Sequence, residues 1–290
     1  MKYICKLGEI CPYNYENPPI CRVELWDFSR ANECEEARKE TVCLVASISY
    51  GNEYCKDPDR LWNLLIKKGE ESPFEFVKTP EFEFEQSLRN TDFMTDKSWS
   101  IYAYGKETKR LKEDRLKRRR GRVATFKLKV PIFVAYLLLY KNEHTIYYPL
   151  KREKAKFEFW KPPQADNLNI TNALATEYSL MCNLQKILLD KGLKPEQARA
   201  FLPLGLYTQF WMQGNYKTWL NFFIHHLHPE TQEEARLVVQ SMWELLKKNQ
   251  PEIIETMADY LEKWIRDCNS IFQSAREEKA RCFKETYLGG

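Results

Sequence analysis

The chain has no apolar run close to the roughly 20 residues that a membrane-spanning helix needs. Its longest apolar stretch, Val130 to Tyr140, contains Pro131 and is read as buried core. The opening residues, Met1 to Cys5, lead into no long h-region and no small-residue cleavage site, so no signal peptide is expected and the protein is assigned to the cytoplasm. There is no internal repeat and no low-complexity tract. No pair of cysteines has the Cys-x-x-Cys spacing of a zinc knuckle. Six of the nine cysteines (Cys5, Cys11, Cys21, Cys34, Cys43, Cys55) fall early in the chain. An odd total without a secretion signal argues against a disulfide framework, and reduced, buried thiols are expected, with no metal site. The net charge of +4 is too small to name a partner by itself.

What is present is the balance of a soluble globular protein, with 43% hydrophobic and 30% charged residues. At 290 residues the chain has ample material for a buried core, and it is expected to form a single domain. Glu40 to Tyr50 mixes small and apolar residues as a buried helix does. Asp57-Pro58 is a helix-start signal, Leu61, Leu64 and Leu65 make an apolar face, and Gly69 ends the helix. Glu81 to Phe84 alternates with period two, as a half-buried strand does. Gly105 to Arg122 is the most polar part of the chain, a basic insertion or loop with Arg118, Arg119 and Arg120 in a row. Strand character returns at Phe126 to Val134, and Pro162-Pro163 makes a turn before a helical C-terminal half. There, Asn167 to Lys191 reads as a long amphipathic helix, and Pro195 opens a short one through Phe201. Leu206 to Met212 reads as an aromatic strand. Helices are expected from about Asn215 to His226, from Glu230 to Lys248, and from Pro251 as a C-terminal extension. In the second of these, Ala235, Val238, Val239, Met242, Leu245 and Leu246 share a face. The sum is an α+β fold, long helices packed on a mainly antiparallel sheet.

Two stretches carry a resemblance. Gly69-Glu-Glu-Ser-Pro-Phe-Glu-Phe76 resembles a Gly-His-x-Ser/Thr-Pro-x-Glu-His motif. Gln197 to Phe222 follows the landmarks Ala-Arg-x-x-Leu-Pro, Tyr-Thr-x-Phe and Asn-x-Arg-x-Leu-x-x-Phe in order and at the right spacing. Downstream, Gln232-Glu-Glu-Ala-Arg236 stands where Gln-x-Glu-Ile-Arg is usual, and Val130-Pro-Ile-Phe-Val-Ala135 matches the lead into a signature motif. These are landmarks of the flavin-dependent thymidylate synthase (ThyX) family, and from about residue 40 to 260 the chain is similar to it.

The resemblance implies the family fold, thymidylate synthase-complementing-protein-like, and a homotetramer. It implies one-carbon transfer to C5 of a pyrimidine deoxynucleotide, with FAD as cofactor, methylenetetrahydrofolate as donor and NADPH as reductant. Residue by residue, it carries flavin contact to Ser72, Glu75, Asn215 and Asn221. It carries nucleotide contact to Arg152, Arg199 and Lys217, and places the family's nucleotide-binding arginine on His226. The signature itself, Arg-His-Arg-x-x-Ser-x-Asn-Glu-x-Ser-x-Arg-Tyr, is rewritten. An ungapped reading keeps only Thr145 and Arg152. A gapped one sets Asn142 to Tyr148 on Asn-Glu-x-Ser-x-Arg-Tyr and keeps Asn142, Glu143 and Tyr148, with Thr145 on the second serine. Both lose the paired arginines, and the two flavin-motif histidines become Glu70 and Phe76.

Arginine suits phosphate because its fork makes bidentate contact. One lost charge-assisted contact is worth roughly 1.5–3 kcal/mol, so several lost together change which ligand binds, or whether any does. Catalytic candidates are His144, Thr145 and His226. His144 is read either as an acid or base near neutral pH or as an exposed turn residue. His225, His226 and His228 end a helix, where cations favour the macrodipole. Ser72 and Glu75 have the spacing of a capping box, and the aromatics from Tyr207 to Phe223 that of core packing. Two functions compete. One is a pyrimidine-modifying flavoenzyme with a changed pocket (dCMP, or a hydroxymethyl product). The other is a repurposed relative that binds nucleotide, or nucleic acid through Lys117 to Arg122, without flavin chemistry.

Overall fold

In a computed structural model the described residues are 2–13, 21–50, 57–77, 123–140, 144–148, 158–266 and 273–288. Glu81 to Phe84, the basic run Lys117 to Arg122, and Arg152 lie outside them. The sheet comprises β1 (Cys5–Ile10), β2 (Arg22–Asp27), β3 (Val123–Pro131), β4 (Thr145–Tyr147) and β5 (Tyr207–Asn215). Its order is β1-β2-β3-β5-β4, with every neighbouring pair antiparallel. The fold class is α+β.

Alternation along the strands divides the interior into two cores. Val23, Leu25, Ala124, Phe126, Leu128, Val130, Phe210 and Met212 point to one face. That face is covered by α6 (Tyr216–His226), α7 (Glu233–Asn249), α8 (Pro251–Arg266) and α9 (Gln273–Phe283). Trp26, Tyr147 and Trp211 point to the other face, against α1 (Glu35–Tyr50), α2 (Pro58–Lys68) and a 3₁₀ turn at Ser72–Phe76. The six α7 positions that share an apolar face in the sequence are all buried in the first core. So are Ile253, Met257 and Leu261 of α8 and Ala280 and Phe283 of α9, which ties the C-terminal helices to the same core as the sheet.

Local signals account for most boundaries. The Asp57 carboxylate accepts from the amide of Arg60, Pro58 occupies the first helical position, and Gly69 closes α2 in the left-handed region at φ 67°. Asn215 is both the last residue of β5 and the N-cap of α6, its side-chain oxygen accepting from the amides of Lys217 and Thr218.

Val130 to Tyr140 behaves differently from its sequence reading. Pro131 ends β3, and the chain turns into α3 (Ile132–Leu139), whose first amides donate to the carbonyls of Leu206 and Leu204 at 2.9 and 3.1 Å. A run that is apolar on every side shows no period to separate strand from helix. It is only partly core: Val134, Ala135 and Leu138 are buried, while Tyr136 and Tyr140 are 60% and 71% exposed.

The long helix α4 (Thr171–Asp190) docks through Tyr178, which stacks on Phe159 at 4.2 Å and donates to the carbonyl of Trp160 at 2.9 Å. Its outer side leaves Leu180, Met181, Leu184 and Ile187 exposed. Helix α5 (Pro195–Ala198) runs into a 3₁₀ turn at Arg199–Phe201. Buried thiols are the expectation from the sequence, but of the early cysteines in the described residues only Cys21 and Cys43 are buried, and Cys5 is exposed. No helix among the described residues is long and apolar enough to cross a membrane.

Candidate functional site

β4 is an edge strand of three residues, paired to β5 on one side with Thr145 opposite Gln213 and Tyr147 opposite Trp211. Around it the fold gathers residues that are far apart in the chain. The 3₁₀ turn with Ser72 and Glu75 packs against it, and the β5–α6 junction with Asn215 and Lys217 stands beside it. His226 lies further along α6, connected to the strand through the aromatic contacts of His144 and Phe222.

His144 precedes β4 and turns into the first core. Its imidazole lies 3.9 Å from the indole of Trp219 and 5.3 Å from the ring of Phe222, centroid to centroid. The space exists because residue 214 is glycine: a Cβ there would come within 2.5 Å of His144 Cδ2. Burial, reinforced by the neighbouring His226, pushes the His144 pKa down to about 3. The imidazole is therefore neutral at physiological pH and enclosed, which corrects the expectation of an exposed turn residue or of an acid or base titrating near pH 7.

His226 packs on Phe222 at 4.5 Å, and burial together with nearby His225 lowers its pKa to about 4. It too is neutral at pH 7, so it does not serve as the cation expected at the C-terminus of α6. A neutral imidazole can still donate or accept a hydrogen bond from a nucleotide.

On the opposite face of β4 the Tyr147 hydroxyl lies 2.6 Å from the Ser49 hydroxyl at the end of α1. Burial, together with the nearby Glu70 carboxylate, pushes the Tyr147 phenol up to about 12, against the effect of the Ser49 hydrogen bond. Glu70 accepts from Tyr50 at 2.6 Å, and Lys68 Nζ lies 3.3 Å from the same hydroxyl. Sequence reasoning did not single out Ser49, Tyr50 or Gly214. Of these, only Gly214 left a signal, as an isolated glycine within strand pattern marks a close approach.

The other assigned residues divide. Ser72 and Glu75 are exposed on their turn. Ser72 is not an N-cap: Glu71 holds that position, and no side chain caps the turn. Asn215 uses its side-chain oxygen as a helix cap. Lys217 extends over Tyr260, its ammonium 5.0 Å from the ring centroid. Asn221 is half-buried on α6, and Arg199 sits partly buried in the turn after α5.

The described residues 123–140, 144–148 and 158–252 also fall within a segment, 120–252, that matches the family model described as Thymidylate synthase complementing protein. Flavin-dependent thymidylate synthases from two strains of Thermus thermophilus are each 30% identical to this chain over 180 aligned residues. The match covers 51% of this chain and 65% of theirs. Over that segment the chain is similar to this family, and it spans less than two thirds of the length of the relatives it matches. A solved UMP/dUMP methylase, PolB from Streptomyces cacaoi bound with 5-Br UMP, aligns at TM-score 0.40 and 18% identity, over 52% of this chain and 81% of that one. A likeness of that degree carries no argument about ligands.

The ThyX family implies FAD. Exposed Ser72 and Glu75 beside β4 fit a flavin ring edge in chemistry, and Lys217 in the first turn of α6 fits an anionic group. Glu70 and Phe76, at the positions of the family's histidines, are engaged within the protein. The first is held by Tyr50, and the second is 3% exposed in the second core.

Proposed function

We propose that this protein transfers a one-carbon unit to C5 of a pyrimidine deoxynucleotide monophosphate, with methylenetetrahydrofolate as donor. A bound flavin would supply hydride to that chemistry. The observation that carries the reading is the convergence at the β4 edge of Ser72, Glu75, Thr145, Asn215 and Lys217, drawn from three separate stretches of sequence. In this reading Ser72, Glu75, Asn215 and Asn221 orient the cofactor, and Thr145, Lys217, Arg199, Arg152 and His226 meet the nucleotide. Arginine and lysine neutralise its phosphate, and Thr145 offers a hydroxyl to the base or sugar. We further propose a homotetramer. The apolar outer side of α4, with Tyr136 and Tyr140 of α3, is the kind of surface that a partner subunit covers.

The test is the visible absorption spectrum of the purified protein before and after incubation with FAD and removal of free ligand. A retained flavin band, followed by turnover of dUMP or dCMP, is the expected result. A colourless protein that takes up no FAD defeats the reading.

One observation favours a second reading. The Tyr50 bond to Glu70 and the burial of Phe76 close two of the family's flavin positions onto the protein itself. A repurposed member that binds a nucleotide or nucleic acid without flavin chemistry follows from that. It predicts a colourless protein that still binds dUMP, or binds nucleic acid with a steep salt dependence.

A further inference from the structure

A three-residue edge strand is weakly specified by its backbone alone. Among the described residues it has a partner on one side only, and a slip of one residue moves every side chain to the opposite face. β4 nonetheless sits between two cores that accept quite different groups. Alternation sends His144 and Ile146 to the first core, where Ile146 packs opposite Met212 and the imidazole fills the niche over Gly214. The same alternation sends Tyr147 to the second core, where its hydroxyl meets Ser49 at 2.6 Å. Directly after the strand, the Tyr148 hydroxyl accepts from Thr208 Oγ1 at 3.1 Å.

We propose that His144 and Tyr147 are positioning residues that clamp β4 from its two faces, fixing the strand in one register so that Thr145 is presented to the nucleotide from a rigid support. The function rests on the nucleotide-binding reading above; the clamp does not. His144 acts as a shaped wedge. The niche that receives it is bounded by Trp219, itself fixed by a 3.2 Å bond from its indole nitrogen to the Ala124 carbonyl. A slip of one residue in one direction would set Thr145 opposite Gly214, leave the niche beside Trp219 without its imidazole, and turn the Tyr147 phenol away from Ser49. A slip in the other direction would move the imidazole opposite Gln213, onto the face of the second core. Either slip gives up both contacts, and the native register is the one that fills the niche and keeps the Tyr147–Ser49 bond. The two ties come from different helical layers, so neither depends on the other.

The experiment is hydrogen–deuterium exchange at the β4 amides of the full chain, read beside a titration with dUMP, for wild type, His144→Ala and Tyr147→Phe. Each variant is expected to speed exchange in β4 about tenfold, the equivalent of one lost net hydrogen bond, while β3 is unchanged, and to weaken dUMP binding. Unchanged β4 exchange in both variants overturns the clamp, as does a uniform rise across β2, β3 and β5. Tyr147→Phe keeps the ring, so it decides the question even where His144→Ala fails to fold. If wild type does not bind dUMP, the nucleotide reading falls and the exchange data still judge the clamp.

Discussion

Tyr50 donates a 2.6 Å hydrogen bond to the carboxylate of Glu70, and the Lys68 ammonium lies 4.8 Å from the centroid of the same tyrosine ring. The three residues come from the end of α1, the end of α2 and the residue that follows Gly69. They join the two helices next to the site. Tyr50→Phe and Glu70→Gln should each cost about 1 kcal/mol in denaturant melts, and the double variant little more than either alone. Full additivity would show that the bond contributes nothing.

Gly214→Ala should destabilise the protein by about 1–3 kcal/mol, because the added carbon meets His144 Cδ2 at 2.5 Å. In a His144→Ala background the same change should cost clearly less, since the Trp219 indole nitrogen, at 3.2 Å, is then the nearest remaining obstacle. Thermal unfolding of the four proteins in this cycle measures the coupling. An equal penalty in both backgrounds would mean that the niche is not shaped for the imidazole.

Two buried tryptophans differ in one respect. The Trp219 indole donates to the Ala124 carbonyl at 3.2 Å, while the Trp211 indole nitrogen has no hydrogen-bond partner among the described residues. Substitution by phenylalanine should therefore cost about 1 kcal/mol more at Trp219 than at Trp211, over a similar loss of packing. Equilibrium unfolding of the two variants checks the difference.

Acid should weaken the fold through the two depressed histidines. An unfolded histidine takes up its proton near pH 6.5, whereas folded His144 and His226 resist until about 3 and about 4. The unfolded state binds more protons in between, so stability falls as pH drops below about 6.5. His144 alone should contribute a slope of up to about 1.4 kcal/mol per pH unit between pH 6 and pH 4. Replacing His144 with phenylalanine should remove one proton from that dependence. A profile as steep as the wild type's would contradict the burial of the imidazole.

Asn215→Ala should cost about 1 kcal/mol through the lost α6 cap, and Asn215→Ser, which can still cap, only a few tenths. If Asn215 also meets a ligand, the serine variant will keep its melting temperature and lose FAD or dUMP affinity. Melting curves with and without ligand separate the two roles.

The sequence announced these elements unevenly, for physical reasons. Asp57, Pro58 and Gly69 bracket α2 because caps are local chemistry, and the α7 face was legible because burial imposes helical period. β5 runs three residues beyond Met212, through Gln213, Gly214 and Asn215, because pairing with β3 extends to Val123 whatever the polarity of those side chains. In β2, Val23 and Leu25 alternate with Arg22 and Glu24, but over too few residues to decide the element alone, and in β1 Gly8 and Glu9 interrupt the pattern. Their place is set by long-range pairing. At the site, the family landmarks named Ser72, Thr145, Asn215 and Lys217. They could not show that the His144 imidazole is enclosed, since that depends on the missing side chain at Gly214, 70 positions along the chain and on the neighbouring strand.

Because Asn215 serves both as the final rung of β5 and as the cap of α6, no slack exists between strand and helix. An inserted or deleted residue at this joint would swing every α6 side chain about 100° around the helix axis. Trp219 and Phe222 would leave the sheet and polar positions would turn inward. Spacing at the joint is thus a heritable constraint of its own: the residues there can drift within their chemistry, but their number cannot.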